Sequence, residues 1–297
     1  MYKYIQISLL FVLLCSACQD PVDADELLNV EGSTYILGYL SPSDTLLSIH
    51  VSNTIPAVGS PLDNYSNETN KERLTIKDAE VIISDEQNNE INLIYNSEKR
   101  NYQANASEFD IVEGSTYFLR VSANNSNFTS SCTIPKKINS ITEKITLEFE
   151  NEYSRQYILD IAFQDIIGKN NFYLIGGKIE TEEQGQLYEW PLDFELNSFL
   201  TDAIGDGETL RQNSSFGFGY TEEVVTARVT LQVTNVEEIL YLNRRATFLN
   251  DYNDGNPFVE YSIASNNIEG ENVVGVFAGY QLTEKVIEYE LKQEAPY

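Results

Sequence analysis

VVTARVTLQVT, residues 224–234, restricts the fold of this chain more than any other stretch. Val225, Ala227, Val229, Leu231 and Val233 alternate with Thr226, Arg228, Thr230, Gln232 and Thr234. In a strand, successive side chains point to opposite faces, so one face is apolar and the other polar. A helix with this pattern would scatter its apolar residues around the axis. The same period of two recurs elsewhere. Leu47, Ile49 and Val51 oppose Ser48, His50 and Ser52, and Tyr117, Leu119 and Val121 oppose Phe118, Arg120 and Ser122. Ile145, Leu147 and Phe149 oppose Thr146, Glu148 and Glu150, and Tyr157, Leu159, Ile161 and Phe163 line one side of a further segment. The chain is therefore expected to be mainly β.

One segment breaks the rhythm. Val236, Ile239, Leu240, Leu242 and Leu249 recur at three- and four-residue spacing among Glu237, Glu238, Arg244 and Arg245. This predicts one helix over 236–250, with acids at its start, arginines later and Asn235 as N-cap. The strands fall into two blocks. Short strands divided by turns such as DEQNNE (85–90) and NSEKRN (96–101) predict an N-terminal Ig-like antiparallel sandwich over 27–135. A larger antiparallel β-rich domain containing the helix is expected over 138–297, with IPKKIN (134–139) as the junction.

The start of the chain predicts its location. Lys3 precedes an apolar stretch from Ile5 to Leu14, and small Ser16 and Ala17 stand before Cys18. That is the layout of a secretory signal peptide over 1–17, and its apolar core is too short to span a bilayer. A small residue directly before a cysteine resembles the lipobox of bacterial lipoproteins, which implies that Cys18 is acylated and begins the mature chain. Position 15, usually Leu in that box, is Cys here. Asp20, Asp23, Asp25 and Glu26 then form an acidic tether over 18–26, similar to the tag of lipoproteins exported to the outer face of the outer membrane.

Charge narrows the partners. Forty-six acids against 19 lysines and arginines give a net charge of −27. Phosphates would be repelled, which excludes nucleic acid as a partner, and adhesion to anionic lipid is equally disfavoured. Beyond the leader stands one cysteine, Cys132, so no internal disulfide forms, and one histidine, His50, so no His/Cys metal cluster is expected.

LNVEGSTYILGYL, KDAEVIISD, YQANASEFDIVEGSTYFLRVS with its closing TIP, and RRATFLNDYNDGNPFVEYSIASNNIEGENVVGVFAGY together resemble a family of Bacteroidota outer-membrane lipoproteins of unknown function. The likeness spans nearly the whole chain. This sequence reads NNIEGENVVG where members usually carry glycine-rich residues directly after NIEG. The resemblance implies an Ig-like or carboxypeptidase-regulatory-like N-terminal sandwich and genes beside that of a TonB-dependent receptor. It supplies no catalytic residues.

Several stretches are candidate sites. Tyr188 and Trp190, with Phe194 and Phe199, lie in a poorly alternating segment, and Phe216, Phe218 and Tyr220 alternate with glycines. Such aromatics stack on a sugar or pack on a partner where they are exposed, and otherwise fill a core. DYNDGN groups Asp251, Asn253 and Asp254 in the manner of a calcium loop. However, Gly255 is fifth where the EF-hand needs it sixth, and a turn accounts for it equally well. AIGDGE (203–208) is similar. Asp44-Thr45-Leu46 fits a short O-glycosylation pattern at Thr45. No nucleophile elbow or HExxH accompanies His50, so no enzyme is expected. The expected function is a surface-exposed, lipid-anchored, non-enzymatic ligand-capture subunit of an outer-membrane β-barrel, a TonB-dependent receptor. A free-standing glycan-binding or adhesion module and a cell-surface hydrolase are the alternatives.

Overall fold

A computed structural model describes residues 32–54, 72–151, 153–168, 170–183, 185–219, 226–254, 256, 259–260 and 262–290. The leader, Cys18, the acidic tether, Tyr220, Gly255 and most of the irregular stretch 55–73 lie outside them. The protein is mainly β, as the alternation predicts.

Seven strands form the first sandwich: β1 (Thr34–Leu40), β2 (Leu46–Asn53), β3 (Glu80–Asp85), β4 (Glu90–Asn96), β5 (Asn101–Asn105), β6 (Thr116–Ala123) and β7 (Ser126–Thr133). The β6–β7 turn places Asn124 and Asn125 both at positive φ, the backbone that a two-residue hairpin of matching twist needs. β4 passes between the layers, pairing with β3 through Glu90–Leu93 and with β5 through Ile94–Asn96. Ile36, Ile49, Val81, Tyr102, Leu119 and Phe128 fill the space between.

The second sandwich sets a three-stranded sheet against the continuation of the large one. The small sheet holds β8 (Ile141–Glu150), β9 (Ser154–Gln164) and β13 (Thr209–Gly219). Opposite lie β10 (Phe172–Glu183), β11 (Gln186–Pro191), β12 (Phe199–Thr201), β14 (Thr226–Val236) and the last strand, β15 (Val273–Glu290).

β15 joins the two halves. Its first residues, Val273 to Gly279, run parallel to β1, and Tyr280 to Glu290 run antiparallel to β14. Phe277 is buried in the first core, whereas Ile287 and Tyr289, on the same face of the strand, pack against the second. The first sandwich is therefore closed by residues from the far end of the chain, and Ile268 and Val273 belong to its core. The junction segment is tied beneath this strand: Thr283 Oγ1 donates to the Ile138 carbonyl at 3.2 Å and Asn235 Nδ2 to that of Lys136 at 2.9 Å.

The helix, α1 (Glu238–Tyr252), covers the opposite face of the sheet at the join, packing Leu240 and Tyr241 against Val276, Ala278, Leu37 and Tyr39. It starts two residues later than the pattern predicts. Asn235 is a buried residue of β14, and the N-cap is Glu237. Glu237 does not cap its own helix through its side chain. Its carboxylate accepts from the Thr133 and Gly279 amides at 2.8 and 2.7 Å, fastening α1 to β7 and β15. Burial raises its pKa, against the pull of those two amides.

β8 departs from simple alternation. A bulge between Leu147 and Phe149 shifts the register, so Phe149 pairs with outward-facing Gln156 and Glu150 with buried Arg155. Phe149 thus leaves the face that Ile145 and Leu147 share, and it is exposed, as Leu147 also is.

Candidate functional site

The sequence-predicted aromatics converge at the end of the second sandwich remote from the first. On the large sheet, Trp190 of β11 lies opposite Ile179 of β10, and Tyr188 opposite Thr181. Ile179 and Thr181 are buried, so both rings are on the inner face. Ile287 and Tyr289 of β15 share that face through Val229 and Ala227 of β14. From the small sheet come Tyr157, Phe216 and Phe218. Tyr157 stacks on Phe216 at 5.3 Å between ring centroids and meets Tyr289 edge-on at 5.6 Å. Trp190 reaches Phe218 at 5.7 Å. Offset and edge-to-face geometries at these distances are the favourable ones for aromatic pairs.

The cluster grades from core to surface. Phe216 is buried and belongs to the core, Phe218 and Trp190 are half-buried, and Tyr188 is 41% exposed, with neighbouring Leu187 at 62%. Arg155 lies at the same end, its Nε donating to Glu150 Oε1 at 2.7 Å. The β8 bulge turns Glu150 inward to meet it. Thr181 Oγ1, buried beside Tyr188, has no hydrogen-bond partner among the described residues. A sandwich end that the described residues line with rings suits an apolar or aromatic-compatible ligand more than a small ion. Phe194 is buried nearer the middle of the second core, and Phe199 packs on α1, against Tyr241 and Phe248.

The position of this end follows from β15. Thr34, near the start of the described chain, pairs with Val273, and the strand then runs 17 residues to Glu290. At about 3.3 Å per residue this separates the entering chain from the aromatic end by about 55 Å.

The other sequence-predicted residues are scattered. Asp251 closes α1, and Asn253 is its C-cap, donating from Nδ2 to the Leu249 carbonyl at 2.7 Å. The Asp254 amide donates to Asp251 O at 3.3 Å, so DYNDGN begins as a helix-ending turn. Among the described residues no group of three or more His, Cys, Asp or Glu side chains is placed to hold a metal ion. In the AIGDGE stretch Asp206 Oδ1 accepts from the Gly168 amide, and just before it Asp202 Oδ2 accepts from that of Asn171, which pins two loops together. Thr45 is exposed at the turn into β2. His50 packs edge-on against Tyr35, its Nδ1 3.2 Å from the Arg100 carbonyl, and burial lowers its pKa. Cys132 is buried, and that burial pushes its thiol pKa well up.

Sequence reasoning missed the residues that hold the join. Asn267 bonds the backbone of Phe277 on both sides, its Oδ1 accepting from the amide at 3.0 Å and its Nδ2 donating to the carbonyl at 2.7 Å. Asp44 Oδ1 accepts from the Tyr280 hydroxyl at 2.5 Å while Oδ2 accepts from the Ser41 amide at 2.7 Å. Only NNIEGENVVGVFAGY carried a signal, and it is a structural one: its asparagines and glycines allow β15 to lie close to β1 and β7.

Fold and site together define a two-sandwich β protein whose described residues gather an aromatic cluster at one end. Residues 20–286 match the model of the domain of unknown function DUF4249, and the chain belongs to that family. No curated protein matches it.

Proposed function

We propose that this protein is a lipoprotein of the outer face of a Bacteroidota outer membrane, held by acyl chains on Cys18, which captures a ligand for a β-barrel partner, a TonB-dependent receptor. It acts by binding, without catalysis. The observation that carries the reading is the leader: an apolar stretch of signal-peptide length ends in Ala17-Cys18 and is followed at once by Asp20, Asp23, Asp25 and Glu26. A body of net charge −27 has no means of its own to hold an anionic bilayer, so a covalent anchor supplies what the surface lacks. The geometry suits capture. The chain enters the fold at the end opposite the aromatic cluster, so a tethered molecule presents that cluster away from the membrane. Tethering also raises the local concentration of the domain near a barrel, which strengthens a weak contact without adding new ones.

The test is a pull-down from detergent-solubilised outer membrane with a tagged full-length copy. A β-barrel receptor is expected in the eluate, and recovery of none contradicts the reading. The exposed Tyr188 beside Trp190 gives one specific ground for a second reading, a free-standing glycan-binding module. Saturable binding on a glycan array without any barrel partner would favour it.

A further inference from the structure

Among the described residues β11 ends the large sheet with no strand beside it, and it carries the aromatic pair. The other sheet edges are β7, β8 and β13. Beside β7 runs the segment around Glu269, with Thr129 and Glu269 bridged and Ser130 Oγ donating to the Asn267 carbonyl at 2.8 Å. β8 is interrupted by its bulge, and β13 is crossed where Ser214 Oγ donates to the Asp193 carbonyl at 2.5 Å. The start of β10 is paired by β12, and its end by β11. β11 itself ends the large sheet, with no described strand beyond it. Natural proteins usually protect such an edge by charge, bulge or cover, because a row of unpaired amides and carbonyls templates another strand. This one carries Glu189 and ends in Pro191, and it also displays Leu187 and Tyr188, both exposed.

Its two faces differ. Tyr188 and Trp190 look inward, toward the ring cluster. On the outer face, Glu189 lies opposite Glu180, and Leu187 opposite Glu182. Lys178 already pairs with Glu180 and Glu189, at 3.2 and 2.6 Å, and Arg228 of β14 lies opposite Glu180; with Glu182 the acids still outnumber the cations on that face. A strand laid along β11 would lie beside the rings of Tyr188 and Trp190 on the inner face and beside Leu187, Glu189 and Pro191 on the outer, with the carboxylates of Glu180 and Glu182 one strand further in.

We propose that the outer edge of β11 takes up an extended segment of a partner polypeptide in which apolar and basic residues alternate, adding one strand to the sheet. Main-chain hydrogen bonds would supply affinity, and the two faces would select the sequence. This names the ligand class of the capture site and rests on the ligand-capture reading, yet it fails separately. A barrel recovered in the pull-down with no peptide binding removes this inference alone.

Trp190 is the only tryptophan in the chain, so its emission reports on the site directly. The full chain in detergent is titrated with an alternating Val-Lys peptide, an alternating Val-Glu peptide, an alternating Pro-Lys peptide that cannot extend a sheet, and maltohexaose. A saturable change with Val-Lys alone is expected. Tyr188→Ala and Glu189→Lys, both at exposed positions, should each weaken it by roughly two- to fivefold, the size of one cross-strand pair. An equal response to Val-Glu or Pro-Lys, a response to maltohexaose alone, or no response at all overturns the proposal.

Discussion

Gly275 carries a φ of 154°, and a Cβ built there would lie 1.8 Å from the Ile36 carbonyl oxygen, where β15 runs against β1. No other residue has both that backbone freedom and that small a side chain. Gly275→Ala should therefore destabilise the fold by about 3 kcal/mol or more, whereas Gly176→Ala, with nothing within 4 Å of its Cβ, should cost far less. Urea unfolding of the two variants checks the contrast. Tyr280 and Asp44 join the same two parts of the chain. Burial, then the hydrogen bond to Asp44, raises the Tyr280 pKa above its ordinary value of 10. Because the folded phenol keeps its proton to higher pH than the unfolded one, this stabilisation is complete below the ordinary value and is lost as pH climbs toward the folded one. Tyr280→Phe should cost about 1.5–3 kcal/mol near neutrality, the usual loss for a hydrogen bond to a charged group. The gap to the parent should narrow at about pH 11, the range set by that upward shift. A gap that widens there would contradict the assignment.

At the scale of elements, the strands were legible wherever alternation was unbroken. β14 matches the Ala227–Val233 pattern on its apolar face, while Thr230 on the other face is buried as well. What alternation cannot signal is a bulge, since one extra residue leaves composition unchanged while reversing every later side chain. That is why Phe149 and Glu150 exchanged faces. The helix was legible from its spacing, but its first turn was not, because Asn235 and Glu237 serve tertiary contacts, to Lys136, Thr133 and Gly279, instead of a local cap. The aromatic site was legible as a set of rings. Their sorting into buried Phe216 and exposed Tyr188 depended on strand ends that carry no local signal. The closing of the first sandwich was wholly hidden, because β1 and β15 pair across most of the chain length. It makes a prediction: a fragment of residues 27–135 lacks Ile268, Val273 and Phe277 from its core, each contributing about 1.5–3 kcal/mol. It should show no cooperative urea transition, and appending residues 266–279 through a flexible linker should restore one. A cooperative transition in the bare fragment would show that β15 is dispensable.

At the scale of the whole molecule, one strand of 18 residues holds two sandwiches on one face and a helix on the other. The chain enters beside Val273, and the aromatic end lies beyond Tyr289, so the body has a near end and a far end relative to whatever holds its N-terminus. The functional account depends on that hold being a lipid. The direct measurement is intact mass on the full-length protein extracted from its native membrane. A chain beginning at Cys18 and heavier than its polypeptide by two or three fatty acyl chains and a glycerol is the expected result. A chain that begins elsewhere, or begins at Cys18 with a bare thiol and amine, would contradict it.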